Sequence, residues 1–217
     1  MRGAFITLEG IDGCGKSTQI AMLARALAER GLDVAFTREP GGTPLGEQAR
    51  RLVLSHASAG ITPEAELFLI AASRAQHVAE VIRPRLESGR SVISDRYTDS
   101  TVAFQGYGRG LDLRAIDAVN RIATGGLTPD LTIIFDLEPE MARARLAGRT
   151  AGESGPARDR FDEEEMNFHH RVRKGYLTLA ADFPARIRVL NAQAPAEEIH
   201  RQVLDMVLPL VSPSRNV

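Results

Sequence analysis

The chain reads Gly10-Ile11-Asp12-Gly13-Cys14-Gly15-Lys16-Ser17 close to its amino terminus, and this stretch matches the pattern G-x-x-x-x-G-K-[ST] at every fixed position. Glycines allow backbone N–H groups to close around phosphate oxygens, which a Cβ would obstruct. In such a loop the lysine reaches the β- and γ-phosphates of a nucleotide, and the serine hydroxyl binds Mg²⁺. We therefore predict that residues 10–17, together with Thr18, form a nucleotide-binding loop.

A strand-like segment precedes this loop and a helical pattern follows it, which is the context that a phosphate-binding loop requires. Apolar, β-favouring runs recur at residues 4–8, 34–37, 91–94, 131–135 and 187–190. The longest of the intervening helical patterns spans residues 63–86, with Thr62 as its N-cap and Pro63 at its first position. Apolar strands that alternate with helices predict a parallel sheet covered on both faces. We expect one α/β domain over residues 1–217, with three layers (α/β/α) and a five-stranded parallel sheet.

The bulk composition excludes several classes of protein. The formal net charge of the 217 residues is −1, so no basic field favours binding to nucleic acid. No apolar run approaches the roughly 20 residues that a membrane span requires, and no leader with a cleavage site precedes the first strand. The one cysteine, Cys14, rules out an internal disulfide framework and fits a reducing compartment. We expect a cytoplasmic protein that binds neither nucleic acid nor membrane.

A nucleotide-binding loop by itself leaves GTPases, ATPase motors and small kinases open. Two further stretches follow predicted strands, namely Thr37-Arg38-Glu39-Pro40-Gly41-Gly42-Thr43 and Asp95-Arg96-Tyr97. Others lie at residues 71–77, 100–110 and 168–173. Together with the loop, and in this order, these stretches resemble the thymidylate kinase family, its bacterial branch in particular, over nearly the whole chain.

The resemblance implies a P-loop kinase that uses ATP and Mg²⁺ to phosphorylate dTMP to dTDP for dTTP synthesis, and that forms a homodimer packed through helices. A kinase for another nucleoside monophosphate, or for a deoxynucleoside, is the first alternative. The arginine-rich acceptor side favours an acceptor that already carries a phosphate. A nucleotide-dependent switch is the second alternative, and it would need a guanine-reading N-K-x-D motif, which we do not find in the sequence.

On the phosphate side, the resemblance implies a role for each polar residue at the strand ends. Arg96 clamps the acceptor phosphate, a task suited to a planar bidentate donor. Asp95 binds Mg²⁺ through water, Asp12 approaches the 3′-hydroxyl of the acceptor sugar, and Glu39 lines the site as a second carboxylate. Arg50 reaches the acceptor phosphate or lies on a solvated helix face. Structural roles are the alternative for the two aspartates: an N-cap or salt bridge for Asp95, and a turn for Asp12.

On the base side, the resemblance implies that Arg74, Thr101 and Gln105 select thymine. An arginine that donates to O4 of thymine would face the amine of cytosine, and leaving such a pair unmet in a closed pocket is costly. Phe104 lies near the 2′ carbon of the sugar or is an ordinary core residue. Family members usually carry a phenylalanine where this chain has Ile70. Either Ile70 covers the base by apolar contact, or an aromatic residue from elsewhere does.

The segment at residues 148–156 is rich in small, polar and helix-breaking residues. Arginines flank it at positions 143, 145, 149, 158 and 160. A solvated surface loop is one interpretation, and the resemblance implies the other, a mobile lid over residues 141–161. The nucleotide-binding loop holds no arginine at positions 11–14, so we expect the lid to supply the cation for the transition state. Arg149 is our first candidate, followed by Arg145 and Arg160.

The implied site therefore has three sets of residues. The substrate-binding set is Glu39, Arg50, Ile70, Arg74, Arg96, Ser100, Thr101, Phe104 and Gln105. The catalytic set is Lys16, Arg96, Arg149, Asp12 and Asp95. The metal ligands are Ser17 and Asp95, and the residues from Asn191 onward are candidates for contact with adenine.

Overall fold

The computed structural model describes residues 2–58, 60–150 and 159–212, and for residues 149 and 150 the backbone alone. Five strands form one sheet in which every pairing is parallel. They are β1 (Phe5–Glu9), β2 (Val34–Arg38), β3 (Ser91–Asp95), β4 (Leu131–Asp136) and β5 (Ile187–Asn191), in the order β2-β3-β1-β4-β5. Each lies within one residue of a predicted run, so the five-stranded parallel sheet is confirmed.

Helices fill the connections between the strands and cover both faces of the sheet. They are α1 (Lys16–Ala28), α2 (Pro44–Leu54), α3 (Pro63–His77), α4 (Arg83–Glu87), α5 (Thr98–Thr101), α6 (Leu113–Thr124), α7 (Pro139–Thr150), α8 (Met166–Asp182) and α9 (Ala196–Val211). A π-helical stretch, Val78–Ile82, joins α3 to α4, so the long helix predicted over residues 63–86 is continuous apart from this widened turn. A second π-helical stretch, Val102–Gly108, extends α5. Thr62 caps α3 by accepting a hydrogen bond from the Ala65 N–H at 3.3 Å, as predicted.

The central strand β1 shows why the sheet needs cover on both faces. Ile6 and Leu8 are fully buried in the larger apolar cluster, which also holds Leu23 of α1. Phe5 points to the opposite face, where it packs with Ile82 and other residues of a second cluster. Because side chains alternate along a strand, both faces of β1 are excluded from water. Among the described residues, no helix is both long enough and apolar enough to span a bilayer.

All five strands end at the same edge of the sheet because they are parallel. The loop that follows β1 therefore lies beside the residues that follow β3, and the register pairs Leu8 with Asp95. β4 flanks β1 on its other side and pairs Glu9 with Ile134. Open α/β sheets bind ligands at this edge, where successive connections leave for opposite faces.

Candidate active site

The loop at residues 10–15 runs from β1 directly into α1, as the sequence predicts. Gly10 and Gly13 adopt φ values of 138° and 82°, which side chains with a Cβ rarely adopt. A Cβ at Gly13 would also lie 2.5 Å from the carbonyl oxygen of Ala142. The buried Lys16 donates from Nζ to the carbonyl oxygens of Gly10 at 2.9 Å and Ile11 at 3.1 Å. The loop is therefore closed around its own lysine, with the N-terminus of α1 directed at the same place.

A hollow of about 830 Å³ opens on one side of this loop. Its walls come from the loop and α1, from α7 and from the chain that follows β5. They include Gly13, Gly15, Thr18, Gln19, Arg145, Gly148, Ala192, Ala194 and Ala196. Arg145 donates to the carbonyl oxygen of Ala192 at 3.0 Å, which ties α7 to the end of β5. The position beside the phosphate loop, and the mixture of small and polar walls, suit the remainder of a nucleoside triphosphate.

A second cleft, of about 560 Å³, opens on the other side of the loop. All nine residues predicted to bind the acceptor line it, and Asp12 of the loop lies in its wall. The fold therefore brings together, at a single place, residues of α2, α3 and the α5 region and residues that directly follow β2 and β3.

Arg96 joins this cleft to the phosphate loop. Its guanidinium donates from Nη1 to the carbonyl oxygen of Gly10 at 2.9 Å and from Nη2 to Asp12 at 2.7 Å, and it lies 4.9 Å from the ring centre of Phe104. Among the described residues, Arg96 is the one non-glycine residue with a positive φ, 72°. Such a conformation persists only where the surroundings enforce it, and it concentrates at functional sites. The contacts with the described residues leave the Nε–H and one Nη2 N–H available to a ligand.

The charges around Asp12 keep it ionised. Burial alone would raise the pKa of this carboxyl, but the positive charges of Arg96 and Lys16 outweigh burial and lower the pKa to about 2. A carboxylate and a guanidinium therefore form a charged pair at the mouth of the cleft at neutral pH. This ion pair connects the phosphate loop, which contains Asp12, to the cleft that Arg96 lines.

Arg74 also lines the cleft and is almost fully buried. Its Nε donates to Glu39 at 2.7 Å, its Nη1 to Thr101 at 2.9 Å and to Asn120 at 2.7 Å, and its Nη2 to the carbonyl oxygen of Tyr97 at 2.9 Å. These contacts occupy four of its five N–H groups and leave one, on Nη2, for a ligand. A residue held in this way presents a single donor in a fixed direction.

Glu39 is committed to the protein rather than free in the cleft. One carboxylate oxygen accepts from Arg74, and the other lies 3.0 Å from Nδ1 of the buried His77. The predicted second carboxylate of the site is thus present in the wall of the cleft, where it orients Arg74.

Comparisons with known proteins show the family of this chain. A family model described as thymidylate kinase matches residues 8–203 of the chain. The chain belongs to the thymidylate kinase family. A curated thymidylate kinase of Nitratidesulfovibrio vulgaris (strain DP4) is 52% identical over 94% of this chain and 91% of its own length. One from Citrifermentans bemidjiense is 49% identical over 90% of this chain and 87% of its own length. The crystal structure of thymidylate kinase from Ehrlichia chaffeensis superposes with a TM-score of 0.75 at 34% identity, covering 95% of this chain and 99% of that one.

Membership of the thymidylate kinase family makes this chain a P-loop nucleoside monophosphate kinase, a phosphotransferase that uses ATP. A kinase of this class needs room for two nucleotides, and the site has two hollows. The hollow between the loop, α7 and the end of β5 suits the nucleoside triphosphate, and the cleft between Arg96 and Arg74 suits the monophosphate.

Both metal ligands predicted from the sequence lie beside the phosphate loop. Asp95 ends β3 beside the phosphate loop, and one of its carboxylate oxygens is buried with no hydrogen-bond partner among the described residues. Such an oxygen is costly to leave unmet, and a metal-bound water would satisfy it. Ser17 lies exposed in the first turn of α1. These oxygen donors fit Mg²⁺, which prefers few protein ligands and several waters.

The lid candidates differ in what the structure says of them. The side chain of Arg149 and residues 151–158, Arg158 included, lie outside the described residues. Arg145 turns towards Ala192, as described above. Arg160 is held by the cleft wall, where it donates to the carbonyl oxygen of Val53 at 3.0 Å and to Glu66 at 2.5 Å.

The buried Glu66 organises this part of the wall. Besides Arg160, it accepts a hydrogen bond from Nε2 of Gln105 at 2.8 Å and pairs with Arg109 at 3.2 Å. Gln105, a residue predicted to select the base, is therefore fixed by a carboxylate that sequence reasoning had not singled out. Acidic residues are common in the first turn of a helix, where they interact favourably with the helix dipole. The sequence around Glu66 therefore gave no sign of a further role.

Sequence reasoning also missed Asp159 and Phe161, which line the cleft from the chain that precedes α8. The Phe161 ring is 5.6 Å from that of Phe104 in an edge-to-face arrangement. Burial, with the nearby charges of Asp12 and Asp162, raises the pKa of Asp159 to about 6. The available signal was their position immediately after the segment of small residues.

Glu9 is the fourth residue that sequence reasoning missed. It is fully buried at the end of β1, directly before the loop, and three groups donate to its carboxylate: the Tyr97 N–H at 2.7 Å, the Ser100 hydroxyl at 2.5 Å and the Tyr176 hydroxyl at 2.9 Å. Burial and the negative charge of Asp99 raise the pKa of Glu9 to about 7. An ionisable residue at the end of an otherwise apolar strand was the signal.

Proposed function

We propose that this chain transfers the γ-phosphoryl group of ATP to dTMP, yielding ADP and dTDP on the route to dTTP. The observation that carries the proposal is that all nine predicted acceptor residues line one cleft, which Arg96 joins to the phosphate loop. In this reaction an oxygen of the dTMP phosphate attacks the γ-phosphorus, and the bond from that phosphorus to the β-phosphate oxygen breaks. The attacking oxygen is already anionic, so no residue needs to act as a strong base.

Different protein groups bind the phosphates of ATP and the phosphate of dTMP. The loop N–H groups and Lys16 hold the β- and γ-phosphates, and Arg96 binds the acceptor phosphate through the N–H groups it has left. Mg²⁺, held by Ser17 and through water by Asp95, neutralises charge on the phosphates when bound. The protein supplies mainly position and charge, which is what phosphoryl transfer requires.

The base end of the cleft favours thymine over cytosine. The one remaining Nη2 N–H of Arg74 donates to O4 of thymine, whereas the amine of cytosine would meet it donor against donor. Thr101 and Gln105 complete this end, and Phe104 limits the space at the 2′ position of the sugar. The thymine methyl group is worth about 1–3 kcal/mol, so dUMP should remain a poor but measurable substrate.

The remaining parts of the proposal concern the lid and the assembly. Residues 141–161 belong to the single kinase domain and carry the arginines of the predicted lid, and Arg149, whose side chain lies outside the described residues, supplies the transition-state cation. Two copies of the chain form a homodimer through α2, α3 and α6, and these helices expose Leu52, Phe68 and Ile122 to solvent in the single chain. The single cysteine supports a cytoplasmic location.

Coupled measurement of ADP release from purified protein with ATP and Mg²⁺ tests the proposal. The acceptors to compare are dTMP, dUMP, dCMP, dGMP, AMP and none. We expect turnover with dTMP, a value of kcat/KM about 10–200-fold lower with dUMP, and almost none with the others. Equal ADP release without an acceptor would show a nucleotide-hydrolysing switch instead. Preference for another monophosphate would retain the kinase chemistry but reject the assignment of the base pocket.

A further inference from the structure

A hydrogen-bond network connects Arg96 and Ser100, which line the cleft, to the carboxylate of Glu9, which does not. The Nη1 group of Arg96 donates to the Ser100 hydroxyl and to the Tyr176 hydroxyl, each at 3.1 Å. Both hydroxyls in turn donate to the same carboxylate oxygen, Oε2 of Glu9. Glu9 thus lies one hydroxyl away from Arg96 along two separate routes.

Nη1 of Arg96 shares its two N–H groups among three acceptors, the Gly10 carbonyl and the two hydroxyls, and the two hydroxyl oxygens lie 2.9 Å from each other. The direction of the hydroxyl hydrogens therefore depends on the charge of Glu9. Each hydroxyl carries one hydrogen and can accept through its lone pairs. When Glu9 is ionised, both hydroxyl hydrogens point at Oε2, so both oxygens present lone pairs to the Nη1 group of Arg96. When Oε2 carries a proton, that proton must be donated to one of the hydroxyls. The hydroxyl that receives it turns its own hydrogen elsewhere, and Arg96 loses part of its support.

We propose that Glu9 is a positioning residue for the acceptor: its ionised carboxylate orients the Ser100 and Tyr176 hydroxyls, and these hold the Arg96 guanidinium in place to bind the acceptor phosphate. This inference rests on the proposed function, which assigns the acceptor phosphate to Arg96. Glu9 itself is fully buried and does not line the cleft.

The groups around Glu9 bring its protonation, and with it the hydrogen bonding of Arg96, to near neutral pH. The titratable and charged groups that face Glu9 are Asp99, Arg96, Tyr176 and Arg186. Burial and Asp99 outweigh the attraction of Arg96, so the pKa of Glu9 is about 7 instead of its usual value near 4.5. The carboxylate is therefore mostly protonated one unit below this pKa and mostly ionised one unit above it. The two hydroxyls therefore hold Arg96 most firmly at pH values above the pKa of Glu9.

The test is Glu9→Gln, with initial-rate kinetics for dTMP and ATP at about pH 6 and about pH 8. The amide of glutamine donates where the ionised carboxylate accepts, so the variant imitates the protonated state at every pH. At about pH 8 we expect the KM for dTMP to rise about tenfold, while the KM for ATP stays within about twofold of the wild-type value. At about pH 6 the two proteins should converge, because wild-type Glu9 is then protonated.

The comparison of variant with wild type at each pH cancels the ionisation of dTMP itself. Glu29→Gln, a change at an exposed glutamate at the end of α1, is the matched control and should behave as wild type at both pH values. Tyr176→Phe removes one of the two hydroxyls while keeping the buried ring. It should raise the KM for dTMP severalfold, which provides a second readout should Glu9→Gln fail to fold.

Three outcomes would overturn the proposal. One is an unchanged KM for dTMP at about pH 8 in folded Glu9→Gln, or, where that variant does not fold, in Tyr176→Phe. Another is an equal rise in the KM for dTMP and for ATP, which would indicate general disruption. The last is a difference between wild type and Glu9→Gln that does not depend on pH. A wild-type protein that does not turn over dTMP would instead contradict the proposed function, and the wild-type measurements show this directly.

Discussion

At the scale of single residues, the acceptor cleft consists of side chains whose hydrogen-bonding capacity is largely used by the protein. Arg74 has four of its five N–H groups engaged, and Glu39 has both carboxylate oxygens engaged. Buried polar groups held in this way cannot rearrange to suit a different base. In the proposed function, selectivity at the base end would therefore come from the direction of the one remaining N–H donor of Arg74.

A conservative substitution at Arg74 should therefore have a large effect. In Arg74→Lys the charge remains, but three rotatable donors cannot reach Glu39, Thr101, Asn120 and the Tyr97 carbonyl together. We expect kcat/KM for dTMP to fall at least about 100-fold, and the free energy of unfolding to fall by about 2 kcal/mol. Steady-state kinetics and urea denaturation measure the two effects. A variant with near wild-type activity on dTMP would contradict the role of Arg74.

At the scale of elements, the chain that precedes α8 is anchored to the wall of the acceptor cleft. Arg160 bridges the Val53 carbonyl in α2 and Glu66 in α3, and this anchor places the adjacent Phe161 against Phe104. The sequence left open whether Ile70 or an aromatic residue from elsewhere covers the base. The cleft contains Ile70 and two aromatic rings, those of Phe104 and Phe161, so aromatic surface is available without a phenylalanine at position 70.

Truncation of Phe161 should therefore weaken acceptor binding. In Phe161→Ala the lost ring opens the cleft, so we expect the KM for dTMP to rise about tenfold and stability to fall by about 3 kcal/mol. Phe161→Leu is the control. Because leucine keeps most of the apolar volume, its KM for dTMP and its stability should lie between those of the wild type and of Phe161→Ala. The kinetic constants for both substrates and denaturant unfolding provide the measurements. An unchanged KM for dTMP in Phe161→Ala would remove Phe161 from the acceptor site.

At the scale of the whole molecule, the surface of the single chain carries apolar side chains on neighbouring helices. The most exposed is Ile122 on α6, at 83%, and Phe68 on α3 follows at 60%. Large apolar side chains grouped on adjacent helices indicate a protein interface. The proposed homodimer would bury this surface.

A charge placed on this surface should separate the two copies. We expect the wild-type protein to sediment as a dimer and Phe68→Asp to sediment as a monomer at micromolar concentration, because an unpaired carboxylate is costly to bury. Leu210→Asp, at an exposed apolar position on α9, is the matched control and should remain a dimer. A monomeric wild-type protein, or a dimeric Phe68→Asp variant, would show that α3 does not form the interface.

Much of this organisation could be read from local sequence. The phosphate loop follows from glycine geometry and from its place between a strand and a helix, and these depend on neighbouring residues alone. The five strands and the cap at Thr62 follow from patterns of the same short range. The nine acceptor residues came from resemblance to a family, which supplied the long-range information that a single sequence lacks.

The sequence by itself therefore determined the sheet, the nucleotide loop and the edge at which the site forms. Only the tertiary structure decided how the side chains at that edge constrain one another. It placed Glu9 against Tyr176, 167 positions away, and Arg160 against Glu66, 94 positions away. It also used up most of the donors of Arg74. The physical reason is that helix and strand patterns act over a few residues, whereas a buried hydrogen-bond network depends on which elements pack together.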